Sequence, residues 1–107
     1  MSQPAVVAAQ LCRDLSPGGW HCVPPGEPIR SGSLFFYTRL KSPTAATIQH
    51  RWYRGDRLRR VVDIPILANV TEGYRTYSRQ TVDGGEWKVE LRTADGVVVH
   101  EERFVVR

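Results

Sequence analysis

Two short runs alternate arginine with tyrosine. Arg75-Thr76-Tyr77-Ser78-Arg79 sets two guanidiniums either side of a phenol, and Arg51-Trp52-Tyr53 repeats half of that unit. At a spacing of two, these residues share one face of a β-strand. A flat row of guanidinium and phenol groups holds sugars by stacking and anions by paired hydrogen bonds. The same row can hold single-stranded nucleic acid, the partner least expected here. Arg54, Arg57, Arg59 and Arg60 cluster beside the shorter run. The competing account is an ordinary surface, with arginines paired across strands to Glu72, Glu86, Glu90 and Asp63.

His50 stands two residues before Trp52, on the side of its run expected to face a core. We read it as a structural polar group bonded to a hydroxyl, with Ser78 as the expected partner. The other reading is a catalytic base. A Ser78–His50–Asp63 arrangement can be written down, but no nucleophile elbow or oxyanion loop accompanies it. No paired carboxylates, metal set or nucleophile–base pair stands at a useful spacing, so the expectation is a non-catalytic domain without a cofactor. His100, beside Glu101 and Glu102, is expected to face solvent, and His21 to lie in a loop. Arg54-Gly55-Asp56 spells an integrin-binding tripeptide and Asn69-Val70-Thr71 a glycosylation sequon. Both are short enough to arise by chance, and the first makes a good turn.

Cys12 and Cys22 bracket C-R-D-L-S-P-G-G-W-H-C, whose Pro17-Gly18-Gly19 turn would bring the thiols together. A disulfide there would add about 3 kcal/mol in the chain-entropy model and points to an oxidising compartment such as a periplasm. The alternative is two buried free thiols. A metal site of Cys12, His21 and Cys22 lacks a fourth ligand at any recognisable spacing. Net charge is +4, and thirteen of the fifteen basic residues are arginine, whose planar fork suits an anionic partner; the plainer reading is a compositional bias that places arginines on solvent faces. No apolar run approaches the ~20 residues of a membrane helix. The opening Met1-Ser2-Gln3-Pro4-Ala5 has neither the basic nor the long apolar region of a secretory signal, as expected of a domain whose leader or neighbours lie outside this sequence.

The elements that must position these residues are short strands. Ala5–Cys12 alternates Val7, Ala9 and Leu11 and reads as an edge strand. Residues 13–32 are rich in Pro and Gly, without periodicity, and read as irregular, with Trp20 covering one end of the core. Ser33–Lys41 places Leu34, Phe36, Thr38 and Leu40 on one side and Phe35, Tyr37 and Arg39 on the other, the pattern of a central strand. Thr47–Arg54 buries Ile48, His50 and Trp52. It turns at Arg54–Arg57 into Leu58–Leu67, where Pro65 argues for an edge. A loop around Asn69–Gly73 precedes Tyr74–Thr81. Gly85–Thr93 sets Trp87, Val89 and Leu91 inward against exposed Lys88, Glu90 and Arg92. Asp95-Gly96 marks a hairpin into Val97–Val106, with Phe104 and Val106 inward. Burial of Trp87 implies that Trp87→Ala costs about 3–5 kcal/mol.

The order F-Y-T-R, H-R-W-Y, Y-R-T-Y-S-R, G-E-W-K-V-E-L, D-G-V-V, R-F-V-V from Phe35 to Val106 resembles the bacterial DUF2914 domain. Its carriers here are His50 with Trp52, Ser78, Gly85 with Trp87 and Val89, Asp95-Gly96, and Phe104 with Val106. The family is uncharacterised. The resemblance implies an accessory domain of an envelope-associated bacterial protein and no particular activity.

The expected fold is an all-β, immunoglobulin-like antiparallel sandwich of seven to eight strands. It forms a single domain over 1–107, with an irregular segment at 1–32 that holds a possible first strand, and a strand core at 33–107. The expected function is a binding or assembly module of the periplasm or cell envelope. It would contact an anionic or carbohydrate polymer, or a neighbouring protein, through Arg51, Tyr53, Arg75, Tyr77 and Arg79. A spacer or docking domain is the second expectation, and an enzyme centred on His50 the third.

Overall fold

The computed structural model describes residues 4–16 and 18–107. Pro17 of the expected turn, and Met1–Gln3 of the opening segment, lie outside the described residues. Nine strands follow in order: β1 (Ala5–Cys12), β2 (Asp14–Ser16), β3 (His21–Val23), β4 (Gly32–Ser42), β5 (Ala46–Arg54), β6 (Arg57–Ile66), β7 (Asn69–Val82), β8 (Gly85–Thr93) and β9 (Val98–Val106). One antiparallel sheet runs β1-β4-β7 and a second runs β6-β5-β8-β9, while β2 and β3 form a hairpin of their own. The chain changes sheet between β4 and β5, β6 and β7, and β7 and β8. Seven strands in two layers with those crossings make an immunoglobulin-like sandwich, and the small hairpin brings the total to nine.

Alternation explains both layers. Leu34, Phe36, Thr38 and Leu40 of β4 turn inward, as do Ile48, His50 and Trp52 of β5 and Trp87, Val89 and Leu91 of β8. These side chains, with Phe104, Val106, Ile66 and Val82, form one core between the sheets. Trp52 meets Phe36 and Phe104 edge-on at ring separations of 6.3 and 6.5 Å. Such a contact adds to area burial because the positive ring edge faces the negative ring face. β6 is an edge strand, so Pro65 sits where a missing N–H costs the ladder nothing.

A second, smaller cluster lies on the outer face of β1-β4-β7. Cys12, Leu15 and Tyr37 are buried there beneath Trp20, Cys22 and Phe35. It is assembled by the Cys12–Cys22 disulfide, whose Cα atoms are 5.3 Å apart. The bridge clamps the β2–β3 hairpin onto the sheet.

Four expectations are corrected here. Residues 13–32 are not wholly irregular, since Asp14–Ser16 pairs with His21–Val23. Strands of three residues are too short to carry a period, and the disulfide supplies the order that alternation does not. Trp20 covers this outer cluster rather than an end of the main core. Asn69–Gly73 belongs to β7, because Asn69 pairs with Ser42 past an irregularity in β4. The Asn69 carboxamide oxygen accepts the N–H groups of Thr71, Glu72 and Gly73 at 3.0–3.1 Å, which holds that bend. Finally, Glu90 is buried although its neighbours on β8 are half-exposed, for a reason given by its ion pairs below.

Candidate ligand-binding face

The five residues singled out as a binding face are divided between the two outer surfaces of the sandwich. Arg75, Tyr77 and Arg79 project from β7 on the outside of β1-β4-β7. Arg51 and Tyr53 project from β5 on the outside of the other sheet, so the two groups cannot touch one ligand face.

On the first surface, register decides the neighbours. Arg79 stands opposite Phe35, Tyr77 opposite Tyr37, and Arg75 opposite Arg39. The rings form a continuous row. Trp20 lies 5.8 Å from Tyr37 and 6.2 Å from Tyr77, and Phe35 lies 5.9 Å from Tyr77. Tyr77 remains 45% exposed at the centre of this row, so its ring is available to a ligand. Arg39 and Arg75 flank one end and Arg79 the other. Among the described residues, no ion pair reaches Arg39, Arg75, Arg79 or the nearby Lys41. The Nε of Arg39 is buried without a hydrogen-bond partner. Its aliphatic stem crosses Gly73, where a Cβ would come within 2.9 Å of Arg39 Cγ and 3.2 Å of the Leu40 carbonyl oxygen. Gly73 also has φ +95, so it suits the position on both counts.

The second surface is internally satisfied. Glu90 takes Arg92 at 2.8 Å and Lys88 at 3.3 Å. Burial alone would raise its carboxyl, but the hydrogen bonds and positive charges of Arg92 and Lys88 outweigh that and hold it below the usual carboxylate range. Lys88 Nζ sits 4.6 Å over the Tyr53 ring, and Arg92 donates to the Tyr53 hydroxyl at 3.3 Å. Arg51 Nε donates to Gln49, and Gln49 in turn donates to Asp63 at 2.7 Å. Arg51 and Tyr53 are thus occupied by their own sheet. Arg51 is held by Gln49 of its own strand and Glu90 by Lys88 and Arg92 of its own strand, not by the arginine–carboxylate pairs across strands that the competing account expected.

Between the layers, His50 is fully buried. Its Nδ1 lies 2.7 Å from Ser78 Oγ, and its Nε2 lies 3.0 Å from Thr38 Oγ1. Trp52 Nε1 donates to the same Ser78 oxygen at 3.0 Å, and Thr38 reaches Thr76 at 2.8 Å. With the imidazole neutral and its proton on Nε2, donors run head to tail: Trp52 to Ser78, Ser78 to His50, His50 to Thr38, Thr38 to Thr76. The opposite tautomer would leave the Ser78 proton without an acceptor. Desolvation lowers the imidazole to about 3, so it is neutral across the physiological range.

Asp63 is not part of this chain of bonds. It lies outside the sheet on Gln49, so the written Ser78–His50–Asp63 arrangement does not assemble. His100 is half-buried rather than solvent-facing, stacked on Phe36 at 6.3 Å and bonded to Glu102 at 2.9 Å. His21 lies on β3, and Arg54 of the tripeptide is bound to Asp83 at 3.2 Å.

Sequence reasoning placed Arg39 on the correct face of β4 but did not join it to Arg75. Alternation reveals which side a residue takes, not which strand lies beside it. Arg60 and the Trp20 ring were likewise outside the proposed set: the arginine cluster and the loop tryptophan were visible in the sequence, but not that they border the β7 face.

Among the described residues no helix is long and apolar enough to cross a membrane. No group of three or more His, Cys, Asp or Glu among them is placed to hold a metal ion. No curated protein and no solved structure matches the chain. The profile of the family described as "Protein of unknown function (DUF2914)" matches residues 45–106, from the strand bearing His50 and Trp52 to the end of β9. The matched stretch omits β4 and the disulfide hairpin, so the ring row is built partly outside it. With more than half of its length matched in this way, the chain belongs to the DUF2914 family.

Proposed function

We propose that this domain is a non-catalytic binding module whose outer β4–β7 face holds an anionic polymer, in particular a charged glycan. The observation that carries the reading is Arg39 facing Arg75 directly across two strands, with no carboxylate among the described residues bound to either. Like charges in that position destabilise a sheet, and a buried unpaired N–H adds to the cost. A bound anion relieves the first by setting opposite charge between the two guanidinium ends. The ring row beside them gives a sugar a surface to stack on, which an inorganic counterion would not need.

The setting is the periplasm or cell envelope of a bacterium. The Cys12–Cys22 disulfide is of the kind that persists in oxidising compartments, and the family resemblance points to envelope-associated proteins. A docking or spacer domain is the second reading. It is favoured by the free edge of β6, where Leu58 and Val61 are exposed beside an unpaired backbone.

Heteronuclear NMR titration with soluble peptidoglycan fragments and a short anionic polymer tests the first reading. Shifts at Arg39, Arg75, Tyr77 and Arg79 that weaken with salt and vanish in Arg75→Ala support it. A silent titration with every ligand overturns it. A protein partner insensitive to Arg75→Ala but lost on proline substitution in β6 supports docking. An activity removed by His50→Ala in a folded variant would instead indicate an enzyme.

A further inference from the structure

β6 and β7 are edge strands of opposite sheets, and the sandwich is open between them. Arg60 pairs with Trp52 and Val62 with His50. Trp52 and His50 point inward, so Arg60 and Val62 do too, but from an edge where nothing closes over them. The result is a groove of about 400 Å³ lined by Phe35, Arg60, Val62, Tyr77, Ser78 and Arg79. Its size lies in the range of small-ligand pockets.

The chemistry of the walls is specific. Arg60 and Arg79 are both exposed, and among the described residues no ion pair occupies either. Tyr77 and Phe35 present ring surface between them, with an edge-on contact at 5.9 Å that fixes their relative tilt. The Ser78 hydroxyl is already taken by His50 and Trp52, so Ser78 supplies floor rather than recognition. Val62 adds an apolar side. The groove therefore offers two cationic forks, one aromatic wall and no acid. Two forks can each give an anion paired hydrogen bonds, and an aromatic wall suits the C–H face of a sugar ring.

We propose that this groove is a subsite for a single acidic saccharide unit, whose carboxylate or phosphate is held between Arg60 and Arg79 while its ring packs on Tyr77 and Phe35. The proposal rests on the reading of the β4–β7 face as an anionic-glycan surface, and it locates the end of that surface. A polymer would lie along Arg39, Arg75 and Tyr77 and turn its last acidic unit over Arg79 into the groove. Arg60 belongs to the groove alone, whereas Arg39 and Arg75 belong to the outer face alone, so the two ideas separate experimentally.

Calorimetric titration of the whole chain with trigalacturonic acid, glucose 6-phosphate, maltotriose and inorganic phosphate makes the test. We expect at least one acidic saccharide to bind, maltotriose not to bind, and both Arg60→Ala and Tyr77→Ala to weaken binding about tenfold. The carboxylate and phosphate arms identify which anion is preferred. Arg60→Gln serves as a second variant, and an unchanged Tm for each confirms folding, since the Arg60 side chain is exposed. If Arg60→Ala and Arg60→Gln bind as the parent does while Arg75→Ala loses a long anionic polymer, the groove is refuted and the outer face stands. If inorganic phosphate binds as tightly as glucose 6-phosphate and Tyr77→Ala changes nothing, saccharide recognition is refuted. If no acidic saccharide binds, the subsite is refuted whatever the polymer does. If the polymer also fails, the outer-face reading falls with it.

Discussion

The imidazole of His50 lies 2.7 Å from Ser78 Oγ, and Trp52 shares that same hydroxyl from 3.0 Å. A histidine from one sheet is thereby tied to a serine of the other in a core that water does not reach. Such a pairing makes the folded protein intolerant of a proton on His50. The unfolded imidazole takes one up near its ordinary value of about 6.5, while burial lowers the folded one to about 3. The stability that depends on neutral His50 is complete above pH 6.5 and is lost as pH falls from there toward 3. At pH 5 the loss should be about 2 kcal/mol. Urea midpoints at pH 7 and pH 5 check this, because His50→Gln should remove most of the difference. An equal difference in parent and variant would assign it to other groups.

Ser78→Ala should leave the Trp52 N–H and His50 Nδ1 without partners inside the core. The expected cost is about 2–4 kcal/mol, with the fold retained. Thr38→Val removes a hydroxyl of matching size from the other end of the same network and should cost less, about 1–3 kcal/mol. Chemical denaturation of both variants ranks them.

Reduction of Cys12–Cys22, or the double change Cys12→Ser with Cys22→Ser, should lower stability by about 3 kcal/mol. The larger local effect falls on Trp20, which packs on the outer cluster with Cys22. Its fluorescence should change on reduction at temperatures where Trp52 and Trp87 stay buried. A Trp20→Phe variant isolates that signal.

Arg75→Thr should separate stability from binding. Removing one of two opposed guanidiniums, and placing a β-branched residue on β7, should leave stability unchanged or raise it by about 0.2–1 kcal/mol. Affinity for an anionic polymer should fall, together with its salt dependence. A thermal melt and a titration on the same sample measure both. A variant that is destabilised yet binds normally would contradict the role given to this pair.

Glu90→Gln should cost about 1–3 kcal/mol, because Lys88 and Arg92 would face each other with Arg51 opposite and no charge between them. The carboxyl is held below its usual range when folded, so its contribution is present above that range and disappears as pH falls through the folded value. Acid unfolding below the ordinary carboxyl value of about 4.5, within the lower part of the His50 range, should therefore be less steep in the variant.

Alternation made much of this protein legible in one dimension. Gly85–Thr93 and the inward set Trp87, Val89 and Leu91 can be read from the chain, as can the inward placement of Ile48, His50 and Trp52. Side-chain period is a property of a single extended segment, so no neighbour is needed to read it. The His50–Ser78 contact was within reach for the same reason: both residues fall on inward positions and each needs a polar partner. The β2–β3 hairpin was not, because three-residue strands have no period.

Glu90 shows the limit on a single strand. Its position alternates correctly to the outside of β8, yet it is buried, since Lys88 and Arg92 on the same strand fold over it. Composition cannot separate that arrangement from three solvated charges.

What the residue order determined by itself is the longer strands, their two faces and the apolar core, which follow from local period, together with the short loop that lets Cys12 and Cys22 meet. Only the tertiary structure decided which faces adjoin. It parted Arg51 and Tyr53 from Arg75, Tyr77 and Arg79, set Arg39 against Arg75, and opened a groove between Arg60 and Arg79. Those relations depend on strand register between segments distant in the chain, and the register is chosen by burying both inner faces at once. The outer faces inherit their neighbours from that choice.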